Sequence, residues 1–233
     1  MSGHETEFFD RQAESYHSVP AGMRPFHEAT ARRIESGLAG SVLCIGGLWS
    51  RADLSSRGYR LTVMDASAAM LRHYGSEGVL LVQGDACRIG FPDGTFDHVV
   101  LPLLLHHVAG SSAISARRNV REVLGGVARV LRPGGSVWIH EFCVPPAVYG
   151  VEILSAPFVR WGLALARIPL VVMHTRGFYR SALVESGFHR VEVETVRPLT
   201  ASPTWIRPVI GLPWLTVPRW IYPARPTLIT ARL

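Results

Sequence analysis

The chain has 233 residues, 48% hydrophobic and 18% charged, which fits one globular domain with a sizeable core and excludes a disordered chain. Its net charge of +6 is carried by arginine, with no basic run or aromatic-interleaved basic stripe, so it reads as solvated surface charge and not as a nucleic-acid footprint. The three cysteines, Cys44, Cys87 and Cys143, are scattered and odd in number, which fits buried thiols in a reducing compartment and excludes a disulfide frame or zinc site.

The first residues, MSGHETEFFDRQAESYH, are polar and acidic and lack a secretory pattern. No uninterrupted apolar run reaches the ~18 residues of a transmembrane helix, so a cytoplasmic protein is expected. Residues 5–17 predict a helix with Phe8, Phe9 and Tyr16. A second helix places Phe26, Thr30, Ile34 and Leu38 on one face and ends at Gly37 and Gly40. The run Val42-Leu43-Cys44-Ile45 is a first strand, closed by Gly46-Gly47. A polar, helix-compatible segment follows, then a second strand from Leu61 to Met64, closed by Asp65. Strand, glycine turn, helix, strand, acid is the outline of a nucleotide-binding βαβ unit, in which an acid ending the second strand accepts ribose hydroxyls.

Ser67 is placed to cap a short helix through Met70 and Leu71. Val79 to Val82 is the third strand, followed by Gln83-Gly84-Asp85-Ala86, and His98 to Leu101 the fourth, running into Leu103, His106 and His107. Ala116, Val120, Val123, Leu124, Val127 and Leu131 trace an amphipathic helix, with a stop and turn at Leu131-Arg132-Pro133-Gly134-Gly135. Ser136 to Glu141 is the fifth strand. Residues 142–173 are apolar and proline-punctuated and break the rhythm. A helix over 177–186, an alternating strand over 191–196, an aromatic insert over 199–222 and an edge strand over 227–233 complete the chain. Apolar strands alternating with helices predict a parallel sheet covered on both faces.

The order of FDRQAESY, VLCIGG, LTVMDASAAML, VQGDACRIGFPDGTFDHVVLPLLLHHV, REVLGGVARVLRPGGSVWIHEF and GFYRSALVESGFHRVEV resembles the class I S-adenosylmethionine-dependent methyltransferases, in particular the ubiquinone/menaquinone methyltransferase branch. The resemblance implies an α/β fold: a Rossmann-like, seven-stranded, mostly parallel sheet with helices on both faces and the last strand antiparallel. It implies one domain over 1–233, with N-terminal helices in 5–38 and apolar substrate-cover inserts at 142–176 and 199–224. The cofactor implied is S-adenosylmethionine, with S-adenosylhomocysteine as product. Gly46 and Gly47 would lie under its methionyl part, Asp65 and Ala66 at the ribose, and Asp85, Ala86 and Met70 at the adenine. Leu101 and Leu103 would back the methionine, and Tyr16 would close over the cofactor. The loop departs from the family pattern: its usual acid is Cys44, and two later glycines are Leu48 and Ser50 around Trp49. Two readings stay open. One is a transferase acting on oxygen in preference to nitrogen or carbon. The other is a methyltransferase-like protein that has lost transfer and serves as a cyclase-type catalyst or binding subunit. A nicotinamide oxidoreductase is disfavoured because no G-x-G-x-x-G opens the first helix.

Four histidines are candidate bases. His106 and His107 follow the fourth strand at the sheet edge where open α/β sheets bind ligands. His140 and Glu141 end the fifth strand, where neighbours point to opposite faces, so only one faces the pocket. His174 precedes the helix over 177–186 and is either a substrate contact or a surface-loop residue. No metal is expected, because adjacent histidines diverge and no carboxylate cluster supports them. The apolar inserts point to a small hydrophobic acceptor, with packing on each other, a dimer face or peripheral membrane contact as the other uses. Neither nucleic acid nor a transmembrane segment is expected, and the chain is read as a monomer or homodimer.

Overall fold

The apolar runs pair side by side into a sheet. In a computed structural model, which describes residues 3–13, 24–47, 58–74, 78–108, 110, 112–165, 171–197, 205–206, 217–218 and 223–233, seven strands lie in the order β3-β2-β1-β4-β5-β9-β6. They are β1 (Gly40–Ile45), β2 (Tyr59–Asp65), β3 (Val79–Gln83), β4 (Phe96–Pro102), β5 (Leu131–Cys143), β6 (His189–Thr195) and β9 (Arg225–Arg232). The first five pair in parallel, and β9 runs antiparallel to both of its neighbours. Strand order reverses between β1 and its neighbours β2 and β4, the switch point where open sheets leave a crevice at their carboxyl ends.

Alternation along the strands divides two cores. Leu43, Ile45, Val99, Leu101, Val137 and Ile139 face α4 (Ala113–Val130) and α6 (Arg176–Glu185). Val42, Cys44, Leu61, Val63 and Val100 face the other side, where Ala31 and Ile34 of α2 (Arg24–Glu35) and Leu71 of α3 (Ala68–Tyr74) cover them. The expected cap forms, the Ser67 hydroxyl accepting the Met70 N–H at 3.0 Å, and Thr175 caps α6 in the same way. α1 (Gly3–Gln12) packs Phe8 and Phe9 on Ala69 and Met70.

Four expectations are corrected. The chain-closing strand is not an edge: β9 lies between β5 and β6, and β6 is the edge. The burial pattern gives the reason, since residues 226–229 of β9 are buried in succession whereas β6 exposes most of its length. The α4 helix stops where expected, but Leu131 to Gly135 extend β5 instead of forming a separate turn, with Phe96 pairing Leu131 across a bulge. Leu38 falls beyond α2, which ends at Glu35. The first insert is mostly regular: after β5 ends at Cys143, α5 (Pro146–Leu165) is a 20-residue helix. Of the second insert, the described part is a short antiparallel pair, β7 (Trp205–Ile206) with β8 (Val217–Pro218). Tyr16, Trp49 and the helix expected between β1 and β2 lie outside the described residues. No described helix is long and apolar enough to cross a membrane.

Candidate functional site

The carboxyl edge of the sheet collects the predicted cofactor residues. Gly46 donates its N–H to the Met64 carbonyl at 2.9 Å, joining the glycine bend to the tip of β2. Its φ is +81° and that of Gly47 is +133°, in the left-handed region that L side chains avoid. A Cβ on Gly46 would lie 2.5 Å from Leu104 Cδ1, so the bend sits directly on that side chain. Cys44, standing where the resembled loop carries an acid, donates its thiol to the Gly47 carbonyl. The bend is thus tied from below by a donor where an acceptor was expected.

Asp65 ends β2, and its Oδ1 accepts the Ser67 N–H at 2.9 Å. Asp10 of α1 accepts the Ser67 hydroxyl and, at 3.4 Å, the Ala69 N–H, which brings a second carboxylate to the same corner. Burial pushes the Asp65 carboxyl up to about 6, and the charge of Asp10 adds to the shift against the Ser67 and Ala66 N–H groups. The neighbouring tip is coupled to this one: Gly84 donates to the Asp65 carbonyl at 3.0 Å, and Gln83 Nε2 to the Ala66 carbonyl at 3.0 Å. Asp85 follows, its Oδ1 accepting the Cys87 N–H at 3.0 Å and capping the 3-10 turn Ala86–Arg88. The Met70 side chain is buried against α1, and those of Ala86 and Leu101 in the larger core. Leu103 holds φ +53°, costly for a non-glycine, and donates its N–H to the His140 carbonyl at 2.8 Å. A positive-φ glycine bend and acids on adjacent strand tips fit a nucleoside carrying a short amino-acid arm. Asp65, buried beside another carboxylate, would gain from two ribose hydroxyl donors. S-adenosylmethionine affinity is therefore expected to fall as pH drops through about 6 and Asp65 takes a proton. Asp65→Asn is expected to weaken binding about ten- to a hundredfold and flatten that pH dependence, both read by calorimetry.

The histidines divide between the two faces of the sheet. His106 and His107 form a 3-10 turn after β4, and Glu141 of β5 lies against it. The buried Glu141 carboxylate accepts the Leu105 N–H at 2.6 Å and, through Oε2, pairs with His106 Nδ1 at 2.6 Å. His107 is buried, its ring 4.1 Å from that of His106 and 5.0 Å from that of Phe9, and neither ring nitrogen has a hydrogen-bond partner. Burial, the leading cause, holds it neutral well below the usual imidazole range. His140 points the other way, as strand alternation requires: its Nε2 lies 3.5 Å from the Thr30 hydroxyl of α2, and its ring stacks edge-on with His27. The structure therefore does not bring His140 together with the His106 pair.

His174 is not a surface-loop residue. It is fully buried between the rings of Phe178 and Tyr179, and burial lowers its pKa to about 3. Its loop is laced to the site by Val172 N–H to the His106 carbonyl at 3.0 Å and Val144 N–H to the His174 carbonyl at 3.2 Å. Glu141, set beside His140 in the sequence but outside the four candidate bases, is the side chain that meets the histidine pair. The signal was a carboxylate inside the apolar strand Trp138-Ile139-His140-Glu141-Phe142, a position tolerated only where donors surround it. Among the described residues no group of three His, Cys, Asp or Glu could hold a metal ion.

Known proteins share this fold. The sequence profile of the methyltransferase domain matches residues 42–139. Demethylmenaquinone methyltransferase of Mycolicibacterium gilvum is 36% identical over 124 residues, 52% of this chain and 50% of that protein. The Mycobacterium tuberculosis enzyme is 34% identical over 116 residues, 50% and 46% of the two chains. The chain thus spans about half the length of the curated relatives it matches. Among solved structures, DhpI in its complex with SAM superposes with a TM-score of 0.68 at 18% identity, over 100% of this chain and 99% of that one. The putative Haloferax volcanii methyltransferase bound to the Trm112 activator gives 0.65 at 20% identity, over 97% and 96%. That sequence match falls on β1 to β5 of this strand order, so residues 42–139 are similar to a methyltransferase domain and the chain has the fold of S-adenosylmethionine-dependent methyltransferases.

Proposed function

We propose that this protein transfers the methyl group of S-adenosylmethionine to a hydroxyl oxygen of a small hydrophobic acceptor. The observation that carries the reading is the buried Glu141–His106 pair beside the cofactor edge. With Nδ1–H donated to Glu141, His106 keeps its Nε2 lone pair, the atom that takes the hydroxyl proton as the oxygen attacks. The sulfonium of the bound cofactor supplies an already activated methyl group. The chain's own task is alignment: Gly46 and Gly47 seat the methionyl arm, and Asp65 and Asp85 hold the nucleoside. His107 and Phe9 wall the acceptor side with neutral surface. The Cys44 hydrogen bond secures the bend without the usual acid, which supports retained cofactor binding. A hydrophobic acceptor is supported by the apolar α5 and by the name of the matched relatives, which act on demethylmenaquinone. The free cysteines, two of them buried, support a reducing, cytoplasmic setting.

Calorimetry with S-adenosylmethionine and S-adenosylhomocysteine tests the cofactor. Methyl-labelled S-adenosylmethionine with paired naphthols, hydroquinones and polar phenols tests the acceptor. Label on oxygen of the hydrophobic members is expected. Label only on carbon or nitrogen, or only on polar acceptors, contradicts the reading.

A further inference from the structure

We propose that Arg117 anchors a carboxylate subsite on the acceptor side, so that the hydrophobic acceptor carries one acidic group besides the hydroxyl that takes the methyl. This rests on the proposed function and narrows its substrate to a hydroxylated hydrophobic acid. Arg117, in the second turn of α4, is half-buried, its guanidinium 5.0 Å over the ring of Tyr149 and 4.8 Å over that of Phe178. Contact with two ring faces fixes the guanidinium and leaves its N–H edge as the part that can still bind. Its Nε is buried without a hydrogen-bond partner, and among the described residues Arg117 forms no ion pair. Its neighbours on α4 differ. Arg118 faces Glu122 at 3.7 Å, and Arg121, also over Phe178 at 5.2 Å, is drawn to Glu185 at 2.6 Å. Of these three arginines, the one held by two rings is the one without a carboxylate. A cation drawn out of water is costly unless an anion meets it, so Arg117 is held ready for an anion that the described residues do not supply.

Two further polar groups without partners belong to the same cluster. His174 shares both rings with Arg117, 4.6 Å from Phe178 and 6.1 Å from Tyr149, and is fully buried with neither nitrogen bonded. The Tyr179 hydroxyl, on a ring 5.6 Å from that of His174, is fully buried and also has no partner. A guanidinium, an imidazole and a phenol can each donate to the oxygens of an acid. One cation among neutral groups matches the single charge of a carboxylate and not the double charge of a phosphate. The loop that carries His174 joins this cluster to the base. Val172 donates to the His106 carbonyl at 3.0 Å, and His174 bridges Cys143, two residues beyond Glu141.

Binding of hydroxynaphthoic acids and of their methyl esters to the protein loaded with S-adenosylhomocysteine tests the subsite without turnover. At least one acid is expected to bind about tenfold or more tightly than its ester. Arg117→Met is expected to abolish that preference, Arg117→Lys to keep part of it and Tyr179→Phe to lower it severalfold, with circular dichroism and S-adenosylhomocysteine affinity unchanged. Arg118→Met, one residue on and facing Glu122, is the control and should keep the preference. No acid bound, acids and esters bound alike, naphthyl phosphates preferred to the acids, or an acid preference that survives in Arg117→Met would overturn the proposal. Acid-selective binding without methyl transfer would count against the proposed function alone, and equal transfer to acids and esters against the subsite alone.

Discussion

Glu141→Gln is expected to lower methyl transfer by about a hundred- to ten-thousandfold while leaving cofactor affinity intact. The amide oxygen still accepts the Leu105 N–H that Glu141 now accepts at 2.6 Å, so the turn after β4 keeps its anchor. The amide NH₂ then faces His106 Nδ1, where Oε2 stood at 2.6 Å. A donor there forces the other imidazole tautomer, with the proton on Nε2 and the lone pair turned inward. His106 can no longer accept a hydroxyl proton. Nitrogen NMR of the imidazole reads that tautomer without any acceptor. His106→Ala should cost about as much as Glu141→Gln, and the two together little more, because they act as one unit. Glu141→Ala differs: it strands a buried N–H and is expected to destabilise the fold by about 1–3 kcal/mol. Full activity in Glu141→Gln, or loss of cofactor binding and activity together, would make Glu141 a structural residue only.

Why the sequence left Glu141 as an either-or with His140 while it singled out Asp65 is a matter of distance along the chain. Asp65, Ser67, Gly46 and the first five strands are local features: an apolar run, a glycine, an acid, a cap. Each is fixed within a few residues. Glu141 acquires its role from a turn 35 residues earlier, and only β4–β5 pairing brings the two together. Strand alternation stated that His140 and Glu141 would part company, but not which would meet the histidine pair. The position of β9 was readable in principle, since Leu228-Ile229 are apolar in succession while Glu192 and Glu194 punctuate β6. Local periodicity alone does not order strands. α5 was obscured by Pro157, Gly150 and Gly162, residues that disfavour a helix one by one yet stand within one of 20 residues. His174 looked like a loop residue because nothing nearby in sequence announces Tyr149, Phe178 and Tyr179 closing around it.

Below neutrality the fold is expected to lose stability steeply. His107, His140, His174 and His27 are buried and uncharged, with pKa values of about 3 at His140 and His174, about 4 at His27, and well below the ordinary range at His107. Burial is the leading cause in each. In the unfolded chain these imidazoles take protons near pH 6.5. As pH falls from 6.5 toward 4, the unfolded state therefore binds protons that the native state refuses, and stability drops. Asp65 works in the opposite sense: with its pKa raised to about 6, the native state binds its proton first, which returns stability between pH 6 and 4. With His98 lowered in the same sense, these groups against one leave a net uptake of at least about three protons on unfolding near pH 5, or about 4 kcal/mol per pH unit. That is a large part of the total stability of a domain, ~5–15 kcal/mol. Urea midpoints are expected to fall sharply between pH 6.5 and 5. His174→Phe removes one titrating ring whose nitrogens make no hydrogen bond, so it should shrink the slope by about one proton and stabilise the protein at pH 5 relative to pH 7. An unchanged midpoint over this range would mean that these rings are solvated or paired in solution, and the histidine side of the site would then be more open than its geometry shows.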